Sequence, residues 1–223
     1  MFGQHTLFNV IIMLIEQPPK LLRWLYPKAY WRMNTKEKAV YLTFDDGPIP
    51  EITPWVLDLL DKYQIKATFF LVGDNVRKHP KEFQMILDRG HRVGNHTFNH
   101  LPGLKTKNET YFNNVALSSE IMRKTLGKDW VDAKLFRPPY GRLKWSQRRW
   151  LRKHYQMVLW DVITHDYSKK YHASRIVKIV CEFVRNGSVI LFHDSIKSQH
   201  NTLEALPKVI RLLKKRGYTF ETL

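Results

Sequence analysis

Thr43-Phe44-Asp45-Asp46-Gly47-Pro48 follows directly on the apolar run Ala39-Val40-Tyr41-Leu42. An apolar run that ends in two acids and then breaks at Gly-Pro reads as a strand whose last side chains reach the rim of a sheet or barrel. Successive strand residues point to opposite faces, and a turn beginning at Gly47 can re-aim the second acid. Two carboxylates together suit a metal hydrolase, in which one binds the ion and the other acts as a base toward water. Which acid takes which part is open at this point. Alone, Asp-Asp-Gly-Pro is equally a plain turn, because Asp, Gly and Pro all favour turns.

His96-Thr97-Phe98-Asn99-His100 narrows the choice. If the chain turns helical after Asn95, the spacing puts both imidazoles on one face, within reach of one ion. It follows the short stretch His91-Arg92-Val93-Gly94 and so falls at another strand end. With 10 His in the chain, a chance pair at this spacing is not rare. Two His and one Asp, with water completing the shell, is nevertheless a recognised composition for a catalytic zinc or similar divalent site. One divalent ion is expected, zinc first, with cobalt or nickel as substitutes.

Three more apolar runs end in polar residues. They are Leu135-Phe136-Arg137-Pro138-Pro139-Tyr140-Gly141, Met157-Val158-Leu159-Trp160-Asp161-Val162 leading to His165-Asp166-Tyr167, and Ser188-Val189-Ile190-Leu191-Phe192-His193-Asp194. Each alone reads as a loop with incidental polar groups. Several in one chain argue against incidental placement; in a barrel of parallel strands, side chains converge at the C-terminal rim.

Together these five segments resemble the five motifs of the polysaccharide deacetylases, the NodB-homology domain of carbohydrate esterase family four. The motifs occur in the family's order, within residues 38–223. The resemblance implies that Asp45 is the general base and that Asp46, His96 and His100 bind the metal. It implies that Arg137 orients the base and that the backbone N–H of Tyr140 contributes to the oxyanion hole. Leu191 is implied to line the acetyl pocket, His193 to act as general acid and Asp166 to hold that His. Tyr167, Pro139 and Trp160 are expected beside Leu191 as substrate contacts. One departure is visible: the family's fourth motif usually ends Asp-Trp, and here it is Asp166-Tyr167, which bears on substrate fit. Ile163 aligns with a position that is often acidic in relatives.

The chemistry holds together without the family name. An ion polarises an amide carbonyl and acidifies water, a carboxylate takes the proton, and His193 protonates the leaving amine. A carboxylate beside His193 raises its pKa, while Arg137 beside Asp45 keeps that carboxylate ionised, so the acid and base are pushed apart.

The rest of the chain reads as strands near 39–45, 67–72, 91–96, 135–140, 157–162, 188–193 and 218–222. Helical patterns lie between them near 52–64, 79–89, 109–126, 145–154, 173–186 and 202–216. Gly90, Gly127, Gly187 and Gly217 follow four of these helices as stop signals. Regular alternation argues an α/β fold with a parallel sheet or barrel. The family resemblance implies a distorted (β/α)7 barrel of parallel strands in a single domain. With 223 residues and 43% hydrophobic content the chain can bury a substantial core.

Residues 1–37 lie outside the resemblance. Phe8 to Ile15 is mostly apolar but shorter than the ~20 residues a membrane span needs, and it lacks a signal-peptide pattern. One reading is an N-terminal helix packed over the bottom of the barrel. The other is an interfacial segment, with Trp24, Tyr26 and Trp31 among Lys20, Arg23, Lys28 and Arg32.

Net charge is +17, from 37 Lys and Arg against 20 Asp and Glu. Much of it sits in Arg142–Lys153, a basic stretch with two Trp, and on the last helix. A solvated outer face explains the placement but not the imbalance, which points to anionic glycans, phosphate-bearing sugar carriers or an anionic membrane surface. No nucleic-acid recognition motif is present, so nucleic acid is not an expected partner. The single Cys181 excludes an internal disulfide. The expectation is a cytoplasmic protein, or one peripheral at the inner membrane face, acting on an N-acetylated glycan or a lipid-linked sugar. Alternatives are the same machinery on a formamide, cyclic amide or acetylated polyamine, or a non-catalytic glycan- or membrane-binding protein.

Overall fold

The computed structural model describes residues 15–126 and 134–223. Most of the apolar run beginning at Phe8, and Gly127, lie outside the described residues. At its centre are β1 (Ala39–Asp45), β2 (Thr68–Leu71), β3 (Arg92–Asn95), β4 (Leu135–Phe136), β5 (Gln156–Met157), β6 (Val162–Ile163) and β7 (Val189–His193). They run in the order β5-β4-β3-β2-β1-β7-β6, all pairings parallel, and β8 (Thr219–Phe220) pairs with the start of β1.

The sheet curls because β5 and β6 are two ends of one extended run. Val158 donates to the Phe136 carbonyl beside β5, whereas Asp161 and Thr164 donate to Val189 and Leu191 of β7. One run thus edges both ends of the sheet, giving the distorted parallel barrel expected from the sequence. The expected strand 157–162 is corrected in its detail. It is two short ladders, because the residues between them change partner from β4 to β7. Tyr30 bridges Val158 and Arg32 bridges Ser188, so the chain preceding β1 lies along this seam.

Around the sheet lie α1 (Lys20–Arg23), α2 (Thr53–Lys62), α3 (Gly73–Lys78), α4 (Pro80–Asp88), α5 (Asn108–Leu126), α6 (Trp145–His154), α7 (Ala173–Phe183) and α8 (Gln199–Lys215). Outward-facing Leu42, Phe44, Phe69, Ile190 and Phe192 pack against α2, α4, α7 and α8 in the main apolar core. Burying each such side chain stabilises the fold by about 1.5–3 kcal/mol. Phe70, Leu135, Val158, Val189 and Leu223 form a separate buried cluster with Tyr41 packed on it.

The helix α3 was not expected, and α7 stops three residues before the expected end at 186. Val184 there turns extended (ψ 139°), and Gly187 adopts φ 81° so that its carbonyl can receive the Met33 N–H. A Cβ at Gly187 would lie 2.0 Å from the Met33 carbonyl oxygen, so this glycine serves close backbone approach rather than a helix stop.

The segment before β1 is held by burial of Leu22, Tyr26 and Trp31 and by Asp161 at the seam. Asp161 is buried and meets Arg23 at 2.5 Å, Arg185 at 2.7 Å and the Ser188 hydroxyl at 2.8 Å. Burial works to raise its pKa, but these three partners outweigh that and hold it below the usual carboxylate range. Among the described residues no helix is long and apolar enough to cross a membrane.

Candidate active site

Register brings the site together. Asp45 at the end of β1 pairs with His193 at the end of β7, and Thr43 pairs with Leu191. Matched positions on neighbouring parallel strands share a face, so these four side chains lie on the face opposite to Phe44 and Phe192. The Asp45 Oδ1 receives the Arg137 Nη1 at 2.6 Å. Arg137 is fully buried and also donates to the Thr43 hydroxyl at 2.9 Å and the Leu159 carbonyl at 2.9 Å, with its guanidinium 4.1 Å above the Phe70 ring. Burial pushes the Asp45 carboxyl above its ordinary range, with Arg137 and His193 opposing. Arg137 was expected to control this carboxylate, but desolvation is the larger effect. A raised carboxylate is a better proton acceptor.

Asp46 is re-aimed by its own backbone, at φ 83°, one residue before the glycine. The Gly47 N–H donates to Asp194 Oδ1 at 3.0 Å, and the Thr53 hydroxyl donates to Asp194 Oδ2 at 2.6 Å. A Cβ at Gly47 would sit 2.0 Å from that carboxylate. Asp194 therefore pins the turn that presents Asp45 and Asp46, and burial pushes it up to about 8. It stood in the last motif without a role; only its contact with the turn after the neighbouring strand β1 reveals one.

His96 and His100 do come together, but not on a helix. Thr97 and His100 take φ 65° and 52°, folding the segment after β3 into a tight loop. The Asn95 side chain accepts the Thr97 N–H at 2.8 Å, and the Asn114 side chain on α5 accepts those of Phe98 and Asn99. Short polar side chains that bond nearby backbone compete with helix formation in this way.

The Asp46 Oδ1 lies 3.3 Å from His100 Nε2 and 3.7 Å from His96 Nε2, and one ligand atom from each residue falls within 4.8 Å of the others. The Asp46 Oδ1 is buried with no protein hydrogen bond. His96 Nδ1 is 2.7 Å from the Arg137 carbonyl, which can only accept, so Nδ1 carries the proton and Nε2 presents its lone pair. Burial holds the His96 pKa well below the usual value, which keeps the ring neutral and able to ligate. This donor set fits one divalent ion.

On the other side, His193 Nδ1 is 2.8 Å from Asp166 Oδ1. Asp166 is itself held by the His193 N–H at 2.7 Å and the Thr202 hydroxyl at 2.9 Å. Burial works to lower the His193 pKa, but Asp166 outweighs it and lifts the imidazole to about 9. Tyr167 stands edge-on to the His193 ring at 5.1 Å, its own hydroxyl pushed up to about 12 by burial. Leu191, Trp160 and Ile163 are buried in one apolar cluster, with Tyr167 packed on it. Trp160 backs the loop 139–141: a Cβ at Gly141 would meet its ring at 2.6 Å. Pro139 is buried, and Tyr140 takes φ 61° with its ring 4.8 Å from His100. Among the described residues the Tyr140 N–H has no backbone partner.

A two-His, one-Asp cluster flanked by a basic carboxylate and a charged imidazole is equipped for one kind of work, hydrolysis assisted by a divalent ion. Fold and site thus define a metal-dependent hydrolase. The polysaccharide deacetylase family model matches residues 32–157. The chain is 36% identical over 209 residues to a peptidoglycan-N-acetylglucosamine deacetylase of Bacillus cereus, covering 91% of this chain and 95% of that protein. It is 36% identical over 221 residues to the peptidoglycan-N-acetylmuramic acid deacetylase PdaA of Bacillus subtilis, covering 93% and 80%. The crystal structure of the Bc1960 peptidoglycan N-acetylglucosamine deacetylase superposes with a TM-score of 0.83 at 35% identity, covering 92% of this chain and 95% of that one. The chain belongs to the polysaccharide deacetylase family, and is a metal-dependent hydrolase that removes N-acetyl groups from amino sugars.

Proposed function

We propose that the substrate is peptidoglycan and that the acetyl group leaves an N-acetylglucosamine or N-acetylmuramic acid residue. The observation that carries this is the register pairing of Asp45 with His193 beside the Asp46, His96 and His100 cluster, together with relatives that bear those two substrate names. Asp46, His96 and His100 would hold the ion, zinc in our reading. When bound it polarises the amide carbonyl and makes water easier to deprotonate.

The remaining work falls to the chain's own residues. Asp45 takes a proton from the attacking water, oriented through Arg137. The Tyr140 N–H donates to the developing oxyanion. His193, kept charged by Asp166, gives its proton to the leaving amine, so one water and one amide become acetate and a free amino group. Leu191, Tyr167 and Trp160 receive the acetyl methyl, and Pro139 stiffens the loop that carries Tyr140. A cytoplasmic site of action goes with a lipid-linked precursor, and action outside the membrane goes with a finished wall strand. The test is incubation of zinc-loaded protein with purified peptidoglycan and with lipid-linked precursor, followed by digestion and mass spectrometry. A free amine on one sugar type supports the proposal and names the residue. No new amine on either substrate, from protein that deacetylates small amides, rejects it.

A further inference from the structure

Two stretches that the catalytic site leaves unused meet on the outside of the barrel. One is 20–28, which contains α1; the other is α6, which carries Arg148, Arg149, Arg152 and Lys153 and no acid. Between them lies an open cleft of about 470 Å³, lined by Trp24, Tyr26, Trp145 and the three arginines. Tyr26 is buried and its hydroxyl donates to the Gly141 carbonyl at 3.0 Å, which ties the cleft to the loop that carries Tyr140. Trp24 is 79% exposed and Trp145 66%; Leu21, three residues before Trp24, is 58% exposed.

The charges here are uncompensated. Arg148 lies 5.1 Å from the Tyr26 ring and donates to the Leu25 carbonyl, but its Nε is buried without a partner. Arg149 lies 5.4 Å from the Trp145 ring. None of the three is ion-paired with a described residue, whereas Arg77, Arg89 and Arg185 each meet a carboxylate. Large apolar side chains left in water beside unpaired cations mark a surface built for an apolar and anionic partner. A glycan's hydroxyls donate as well as accept, and arginine meets only the accepting half. The lining side chains include no Asp, Glu, Asn or Gln, and exposed Leu21 offers a sugar nothing. A bilayer interface takes Trp and Leu into its headgroup layer and draws guanidinium groups to phosphate.

We propose that this cleft docks the chain on an anionic phospholipid surface. Arg148, Arg149 and Arg152 take headgroup phosphates, and Trp24, Trp145 and Leu21 enter the interfacial layer. Exposed Lys20, Lys28 and Lys153 extend the positive rim.

The test is flotation of the full chain with phosphatidylcholine vesicles, with and without about one third phosphatidylglycerol, read alongside Trp emission. Binding is expected to require the anionic lipid and to shift Trp emission to the blue. R149E/R152E is expected to bind about thirty-fold more weakly, or worse, since each cation near such a surface contributes ~1 kcal/mol. W24A/W145A is expected to lose the emission shift. K208E/R211E changes net charge equally on exposed positions of α8 and is expected to bind close to wild type. Each variant should keep acetate release from a short soluble substrate, which reports an intact fold. Unchanged binding by R149E/R152E overturns the proposal, because the cleft is then not in contact. Equal loss in K208E/R211E also overturns it, reducing the effect to net charge. So does cleft-dependent binding of soluble anionic glycan fragments without vesicle binding.

Discussion

Replacing Asp166 by Asn removes the charge that keeps His193 protonated. Burial favours the neutral imidazole, yet with the carboxylate 2.8 Å away His193 titrates at about 9 instead of the usual 6.5. That displacement corresponds to roughly 3 kcal/mol of preference for the charged form. In Asp166→Asn burial is opposed only by the more weakly acting Asp46 and Asp45, and the pKa is predicted to fall to its ordinary value or below. Near pH 7.5 the imidazole would go from almost wholly protonated to about one tenth protonated or less. The alkaline limb of the kcat profile should move down from about 9 by more than two pH units, and an NMR titration of the ring should move with it.

Stability has the same sign. A folded-state pKa above the unfolded value stabilises fully below about 6.5 and loses that contribution as pH rises through about 9. The wild type should lose roughly 3 kcal/mol across that window in urea titrations, and the variant should not. Asn retains an oxygen for the His193 N–H and the Thr202 hydroxyl, so the fold should survive. An alkaline limb that stays near 9 in the variant, with the NMR value unmoved, would refute the assignment of His193 as the acid.

Arg137→Lys leaves the Leu159 carbonyl and Thr43 hydroxyl short of a donor and weakens the hold on Asp45; we predict a loss of roughly 3 kcal/mol by urea denaturation and about a hundred-fold in kcat. Gly47→Ala drives a methyl into Asp194 and should cost more than about 3 kcal/mol or prevent folding, checked by thermal melting. Asp161→Asn leaves Arg23 and Arg185 without their carboxylate; it should destabilise by about 3 kcal/mol and raise hydrogen exchange in residues 15–37, with kcat on short substrates within about two-fold. Asp161 has a depressed pKa, so its contribution is present above the unfolded value near 4 and is lost as pH falls through its folded value. His100→Ala should weaken zinc binding by more than about a hundred-fold in calorimetry, since losing a group that merely hydrogen-bonds a ligand can already cost that much.

The strands and helices were legible where a clean apolar run met a turn signal, as at Val189–His193 followed by Asp194. The barrel seam was not, because 157–162 reads as one strand and nothing local says that its two ends pair with opposite edges of the sheet. The ligand set was visible as composition at strand ends. Its geometry was not: left-handed φ at Asp46, Thr97 and His100 goes with Asn95 bonding backbone within the loop and with Asn114 and Asp194 bonding it from elsewhere in the fold. Helix α3 escaped because it is short and starts at Gly73, whose value lies in packing against Ser118 rather than in a turn. The aromatic and basic stretches 20–32 and 142–153 were each conspicuous, but only the folded chain makes one cleft of them.

The central claim is that Asp45 is the base and Asp46, His96 and His100 are the ligands. Acetate release from N-acetylglucosamine oligomers by zinc-loaded wild type and by Asp45→Asn, with metal content measured on the same samples, tests it most directly. The prediction is zinc-dependent release by the wild type, and in the variant a loss of turnover with about one equivalent of metal retained. Loss of the metal in Asp45→Asn would mean that the two acids have exchanged roles, and turnover retained in that variant would mean that Asp45 is not the base.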